Sequence, residues 1–246
     1  MTTVGLLLAA GAGRRMGGPK ALLRLTPAGP TLIETAVERL WQAGCDRVVA
    51  VVGAGASQAS DAVARLRVDV VTAPDWDEGM GASLRAGLEH LLQGGARRPA
   101  VAMPHAAPAE ALPALAEAAP TPAGAAPDTA AAPDLALVTL VDLPDVTAEV
   151  MARVLAAAQP QGAAALVRAA YGGVPGHPVA IGRDHWEAVR TTARGDRGAR
   201  DHLRTTEHDL VECGDLASGR DVDTVADLTG RPNHGREPSS SDRTQQ

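Results

Sequence analysis

The stretch Leu8-Ala9-Ala10-Gly11-Ala12-Gly13-Arg14-Arg15-Met16-Gly17-Gly18-Pro19-Lys20 combines small residues with cations. Small residues let main-chain N–H groups come close to phosphate oxygens, and successive N–H groups in a turn form a nest for an anion. Arg15 and Lys20 add positive charge where a polyphosphate would lie. Far along the chain stands Asp142, followed by Leu143 and Pro144. At the end of a strand its carboxylate would aim into the same crevice and hold Mg²⁺, which takes one or two carboxylates together with phosphate oxygens and water. A second acid is then wanted; Asp223 is the first candidate and Asp221 the reserve. The plainer reading is that Asp142 caps a turn and that either later acid caps a helix. The seven histidines show no HxH or HExxH spacing, and no Ser/His/Asp or Cys/His constellation is evident.

The elements that must position these groups follow from periodicity. Residues 4–8 are a continuous apolar run closed by Ala9, Ala10 and Gly11, the pattern of a central parallel strand. Residues 31–43 read as a helix: Ile33, Ala36, Val37, Leu40 and Trp41 share one face, Thr31 and Glu34 make a capping box, and Gly44 stands at the C-terminal cap. Strands are expected at 47–52, 68–72 and 135–141, and helices at 57–66, 83–92 and 147–158. Strands at 163–170 and 179–181 are joined through Gly172-Gly173 and Gly176, followed by a helix at 184–190 and a short strand at 210–213. Trp41 and Trp186 are assigned to the core, and Trp76 and Met80 to loop packing rather than base stacking. This alternation predicts an α/β fold of three layers, α/β/α and Rossmann-like, with a mainly parallel sheet and ligands at the carboxyl ends of its strands.

Two segments stand apart. Residues 94–134 are mostly Ala and Pro, which break regular helix and bury too little surface to offset ordering, so an insert without fixed structure is expected there, with at most a short helix at 112–119. Residues 231–246 are polar and read as a tail, leaving one domain over 1–230.

With 45% hydrophobic residues but no Phe, one Tyr and three Trp, the core must be aliphatic. The net charge of −6 argues against a dedicated nucleic-acid binder. Cys45 and Cys213 lie far apart and form no CxxC pair, which argues against a disulfide framework or a zinc ribbon and suits a reducing cytoplasm. The apolar run at 4–10 is too short to span a bilayer and lacks a charged segment before it, so no membrane partner is expected.

Two familiar phosphate loops fit poorly. A dinucleotide fold wants GxGxxG and an acid ending the second strand. Here the glycines fall at 11, 13 and 17, one residue too long, and the second strand ends Val51-Val52-Gly53. A P-loop needs Gly-Lys-Ser/Thr, but Lys20 lies between Pro19 and Ala21.

The run LLLAAGAGRRMGGPKALL, beginning at Leu6, resembles the signature of the MobA-like nucleotidyltransferases, above all their molybdenum cofactor cytidylyltransferase branch. Pro74-Asp75-Trp76-Asp77-Glu78-Gly79-Met80-Gly81-Ala82-Ser83, Val141-Asp142-Leu143-Pro144, Gly176-His177-Pro178-Val179, Gly195-Asp196-Arg197-Gly198-Ala199-Arg200 and Asp221-Val222-Asp223-Thr224 are similar as well. The resemblance implies a nucleotidyltransferase fold and transfer of a nucleoside monophosphate from an NTP, CTP foremost, to a small phosphorylated acceptor, molybdopterin foremost, with Mg²⁺ as cofactor. Arg15, Lys20 and Asp142 would be catalytic. Leu8, Ala9, Ala10, Gly11, Ala12, Gly13, Lys20, Gly53, Gly79 and Ser83 would line the nucleotide. His177, Asp196 and Arg200 would meet the acceptor, and Asp142 and Asp223 the metal. An acceptor phosphate is already anionic near neutral pH, so the reaction asks for positioning and charge neutralisation rather than a general base. Leu143 stands where the family usually has Gln, and Val225-Ala226 where it usually has Pro-Glu. A GTP-dependent or sugar- or polyol-phosphate enzyme is the alternative within the class; an NAD(P)-dependent oxidoreductase and a non-catalytic nucleotide sensor lie outside it. A transfer partner, such as a molybdoenzyme chaperone, is not legible in the residues.

Overall fold

A computed structural model describes residues 1–94 and 133–222. The strands are β1 (Thr3–Ala9), β2 (Arg47–Val52), β3 (Asp69–Thr72), β4 (Leu135–Leu140), β5 (Leu166–Tyr171), β6 (Val174–Gly182) and β7 (Asp209–Glu212). They form one sheet in the order β3-β2-β1-β4-β6-β5-β7. Within it β6 runs antiparallel to both neighbours, while the other pairings are parallel. The helices are α1 (Leu32–Gln42), α2 (Ala56–Ala62), α3 (Met80–Leu92), α4 (Ala148–Ala158), α5 (Arg183–Thr192) and α6 (Arg200–Thr205). One face of the sheet packs against α1, α2 and α4 through Ile33, Val37, Leu40, Val150 and Val154. The other packs against α3, α5 and α6 through Leu84, Leu88, Trp186, Val189 and Leu203. The expected three-layer α/β/α architecture with a mainly parallel sheet is the observed one.

Every residue of β1 is buried, which is why it reads as an apolar run rather than an alternation. At α1, Thr31 N donates to Glu34 Oε2 at 2.7 Å and Glu34 N to Thr31 Oγ1 at 3.4 Å, the reciprocal capping box expected from the sequence.

Several boundaries differ from the sequence expectation. α2 ends at Ala62, short of residue 66. α3 begins at Met80, which puts Ser83 inside its first turn. β6 extends back to Val174, because the turn from β5 pairs Tyr171 with Val174 and carries Pro175 and Pro178 into the sheet. Trp41 is not core. Its indole N–H donates to the Arg67 carbonyl at 2.8 Å, and the Arg67 guanidinium lies 4.5 Å from the ring centre, so the rim satisfies its polar end. Trp186 is fully buried, its N–H satisfied by the Ile181 carbonyl at 2.8 Å.

Pro133 and Asp134 belong to the body rather than to the Ala/Pro insert. Asp134 N donates to Thr2 O at 2.8 Å, Thr2 N returns a bond to the Asp134 carboxylate at 2.9 Å, and Arg183 donates to the Pro133 carbonyl and the Asp134 carboxylate. The remainder of the expected insert, with its short helix at 112–119, and the expected tail lie outside the described residues. No helix among the described residues is long and apolar enough to cross a membrane.

Candidate active site

The carboxyl ends of β1, β2 and β4 are tied together. Val141 N donates to Leu8 O and Ala54 N to Ala10 O, each at 3.1 Å. From Ala10 the chain leaves the sheet and doubles back on itself. Gly13 adopts φ +56°, and a Cβ there would lie 2.0 Å from the Gly18 carbonyl oxygen, so only glycine fits the bend. Short 3-10 turns follow at Arg14–Met16 and Lys20–Leu22, anchored by the buried side chains of Met16 and Ala21. Gly11 and Arg15 stay exposed on the open side of the loop, with Ala12 half-buried.

This path carries Lys20 to the end of β4. Its Nζ donates to Asp142 Oδ2 at 2.7 Å, with both side chains only 16–17% exposed. A charge-assisted bond of this kind between part-buried groups holds both at the crevice. The sequence expectation placed these two residues in one crevice, and the fold brings them into contact. The chain after β7 returns across the same edge: Ser218 bonds the Asp145 carboxylate, and Val222 N donates to the Asp142 carbonyl at 2.9 Å. Asp221 is exposed next to this junction, and Asp223 lies outside the described residues. Among the described residues no group of three or more His, Cys, Asp or Glu side chains is arranged to hold a metal.

The nucleotide-lining candidates on the other side converge as well. Gly53 directly follows β2 and lies against Trp76, whose indole an added Cβ would strike. Trp76 is therefore a packing residue that presses on the floor of the crevice, in line with the sequence expectation. Gly79 opens α3 against Gly195 and the Asp196 carboxylate, so the loop expected beside the nucleotide touches the loop expected beside the acceptor. Ser83 is buried in the first turn of α3.

His177 sits on β6, which pairs with β4 through Val138 and Val179, so His177 and Asp142 approach the same edge of the sheet from adjacent strands. The Tyr171 hydroxyl donates to the His177 carbonyl at 2.6 Å, and the peptide to Pro178 is cis. Burial pushes the His177 imidazole down to about 4, with the charges of Arg168 and Arg200 adding to the effect. The ring is therefore neutral at physiological pH. Arg200 is the first residue of α6 and is exposed. Arg168 and Tyr171 were not among the sequence candidates. The available signal for Arg168 was a lone charge inside an otherwise apolar strand.

A model of the MobA-like NTP transferase domain matches residues 5–211. Nicotine blue oxidoreductase of Paenarthrobacter nicotinovorans is 35% identical over 236 residues, covering 91% of this chain and 93% of that protein. Among solved structures, Rv0371c of Mycobacterium tuberculosis in complex with manganese superposes with a TM-score of 0.60 at 22% identity, covering 94% of this chain and 98% of that one. Molybdopterin-guanine dinucleotide biosynthesis protein A of Archaeoglobus fulgidus does so with a TM-score of 0.57 at 18% identity, covering 93% and 96%.

Proposed function

The chain belongs to the MobA-like NTP transferase family, and from that premise we propose that it transfers a nucleoside monophosphate from an NTP to a small phosphorylated acceptor and releases pyrophosphate. CTP is our first choice of donor and molybdopterin of acceptor. GTP, and sugar or polyol phosphates, are the alternatives. The name of the structurally similar molybdopterin-guanine dinucleotide protein supports a molybdopterin acceptor. The observation that carries the reading is the Lys20–Asp142 contact directly beneath the glycine loop.

The mechanism follows from charge. Main-chain N–H groups of the Gly11–Gly13 bend hold the triphosphate, and Lys20 and Arg15 lie where negative charge gathers at the α-phosphate. An acceptor phosphate oxygen forms the new bond to the α-phosphorus as the bond to pyrophosphate breaks, and the electron pair leaves with pyrophosphate. No proton need be removed, because the nucleophile is already an anion. Asp142, with Asp223 following Val222 in the chain and Asp221 beside it, would hold a divalent cation, here taken as Mg²⁺. One part-buried carboxylate with phosphate oxygens and water suits Mg²⁺, so the residues fit the group. When bound, it supplies neutralisation of the polyphosphate charge. The manganese complex of the structurally similar M. tuberculosis protein supports a divalent metal here. Asp145, which accepts from Ser218, and the main-chain bond from Val222 to Asp142 brace this edge from the side.

We take residues 1–230 as one catalytic domain acting in the cytoplasm, a location that the unpaired, buried Cys45 and Cys213 support.

A second reading has one specific observation in its favour. A relative 35% identical over nearly the whole chain is named as an oxidoreductase. On that reading the glycine loop would hold the pyrophosphate of NAD(P)H. Against it, β2 ends in Val51 and Val52 and is followed by Gly53, with no acid for a ribose, and Trp76 covers Gly53. Equilibrium binding separates the readings. We expect CTP with Mg²⁺ to bind at least about tenfold more tightly than NADH or NADPH, a difference of roughly 1.4 kcal/mol. The reverse order would favour the oxidoreductase.

A further inference from the structure

Asp142 opens the loop that joins β4 to α4, and that loop has to keep the carboxylate at the crevice. Leu143 and Val146 are its buried feet, and Val146 N closes a turn onto Leu143 O at 3.2 Å. The carbonyls of Pro144 and Val146 stand just ahead of α4, and a main-chain carbonyl drawn into the body needs a donor. The donor comes from α1. Arg39 Nη1 donates to Pro144 O at 2.9 Å and to Val146 O at 3.1 Å, so one guanidinium nitrogen grips the loop at two points.

Helix periodicity puts Arg39 there. Leu32, Ala36 and Arg39 fall at i, i+4 and i+7 on one stripe of α1, and they line a recess together with Leu140, Leu143 and Met151. A half-buried guanidinium among aliphatic side chains is costly, and an apolar residue would continue the stripe without that cost. Burial lowers the Arg39 pKa, and the charge of Asp145, which lies in the chain between the two gripped carbonyls, opposes the shift. Its place in the last turn of α1, at the negative end of the helix, offsets a further part of the cost. Packing of α1 does not call for an arginine here; the two bonds to the loop do.

The other ties on Asp142 differ in kind. Lys20 holds the carboxylate itself, so that tie must let go when the carboxylate turns to a cation. Val222 N holds the Asp142 carbonyl at 2.9 Å. Arg39 bonds main chain further along the loop, so its grip does not compete with any ligand of the carboxylate.

We propose that Arg39 is a positioning residue for the metal-binding carboxylate: it pins the loop after β4 so that Asp142 stays aimed into the crevice once Lys20 has turned to the polyphosphate. This rests on the nucleotidyl-transfer reading, in which Asp142 holds a divalent cation. Groups behind a metal ligand tune its affinity, because a ligand left free to drift must be reordered when the metal binds.

The test titrates Mn²⁺ alone into the full chain and reads binding from the loss of the free Mn²⁺ electron paramagnetic resonance signal. Arg39→Met keeps the length of the stem but has no donor, whereas Arg39→Lys keeps a charge and a donor. Arg39→Met weakens Mn²⁺ binding about tenfold or more, while metal-free CTP affinity changes less than about twofold. Arg39→Lys recovers most of that loss. In the Asp142→Asn background Arg39→Met adds less than about twofold, because it acts through Asp142. Unchanged Mn²⁺ affinity in Arg39→Met, or a loss that adds in full to that of Asp142→Asn, overturns the proposal and leaves the transfer reading in place. Should Arg39→Met fail to fold, Arg39→Gln and Arg39→Lys decide: weaker Mn²⁺ binding in the first than in the second upholds the role, and wild-type affinity in both overturns it. If wild-type protein binds no Mn²⁺, the role of Arg39 falls with the metal edge, and pyrophosphate release by the same protein separately judges the transfer reading.

Discussion

Lys20 Nζ meets Asp142 Oδ2 at 2.7 Å, although 122 residues separate them in the chain. The contact joins the cation of the glycine loop to the carboxylate at the end of β4, and the proposed chemistry turns on both. Without substrates each neutralises the other. Polyphosphate and a divalent cation would redistribute the same charges, Lys20 toward phosphate oxygens and Asp142 toward the metal. The pair thus preorganises the crevice at little electrostatic cost while it is empty.

Asp142→Asn keeps the side-chain volume and an oxygen able to accept from Lys20. We expect turnover to fall about 10²-fold or more, with a melting midpoint shifted by only a few degrees. Near-normal turnover at saturating Mg²⁺ in a folded variant would remove Asp142 from the metal site.

Lys20→Ala and Arg15→Ala should act on chemistry more than on ground-state binding, because the bend at Gly13 survives both changes. Single-turnover rates should drop by roughly 10²–10³, while NTP affinity weakens far less. Equal losses in affinity and overall efficiency, with an untouched single-turnover rate, would reduce both residues to anchors.

Gly13→Ala probes the loop itself. The new Cβ would collide with the Gly18 carbonyl and hold a left-handed φ, so the bend must open. NTP affinity should fall about tenfold or more, given the roughly 1–2 kcal/mol cost of that conformation for an alanine. The sheet and its two apolar layers should keep their melting midpoint. Unchanged affinity in nucleotide titrations would show that the bend does not cradle phosphate.

What could be read from residues alone depended on how local each cause is. α1 is legible because its capping box and apolar face lie within one short segment. The start of β6 is not, since Pro175, Gly176 and Pro178 look like a loop until β5 is seen to pair with them. Trp41 continues the apolar spacing of α1, yet only the tertiary neighbour Arg67 shows that it lies at the rim. The cations and acids of the crevice could be named from their types and from the family resemblance. The pairing of Lys20 with Asp142 is a product of strand order that no spacing reveals.

The half-buried His177 gives a signed pH dependence. Its value is about 4 in the folded chain against the ordinary histidine value of 6.5. Between these values the unfolded chain binds a proton that the folded chain refuses. This contribution to stability is therefore complete above 6.5 and is lost as pH falls toward 4. Urea unfolding at about pH 7.5 and about pH 5.5 should show a larger loss for wild-type protein than for His177→Asn. His90 and His202 are also lowered, but they remain in both proteins and cancel in the comparison. Parallel losses would mean that His177 is not held neutral by the fold.

The central claim is nucleotidyl transfer, and pyrophosphate release tests it most directly. Purified full-length protein with Mg²⁺ is given each NTP in turn, with and without molybdopterin, and NADPH oxidation is followed in parallel with nicotine blue. The account predicts pyrophosphate release that requires the phosphorylated acceptor, is greatest with CTP, and disappears in Asp142→Asn. No pyrophosphate from any NTP, even with sugar or polyol phosphates as acceptors, together with acceptor-dependent oxidation of NADPH, would contradict it.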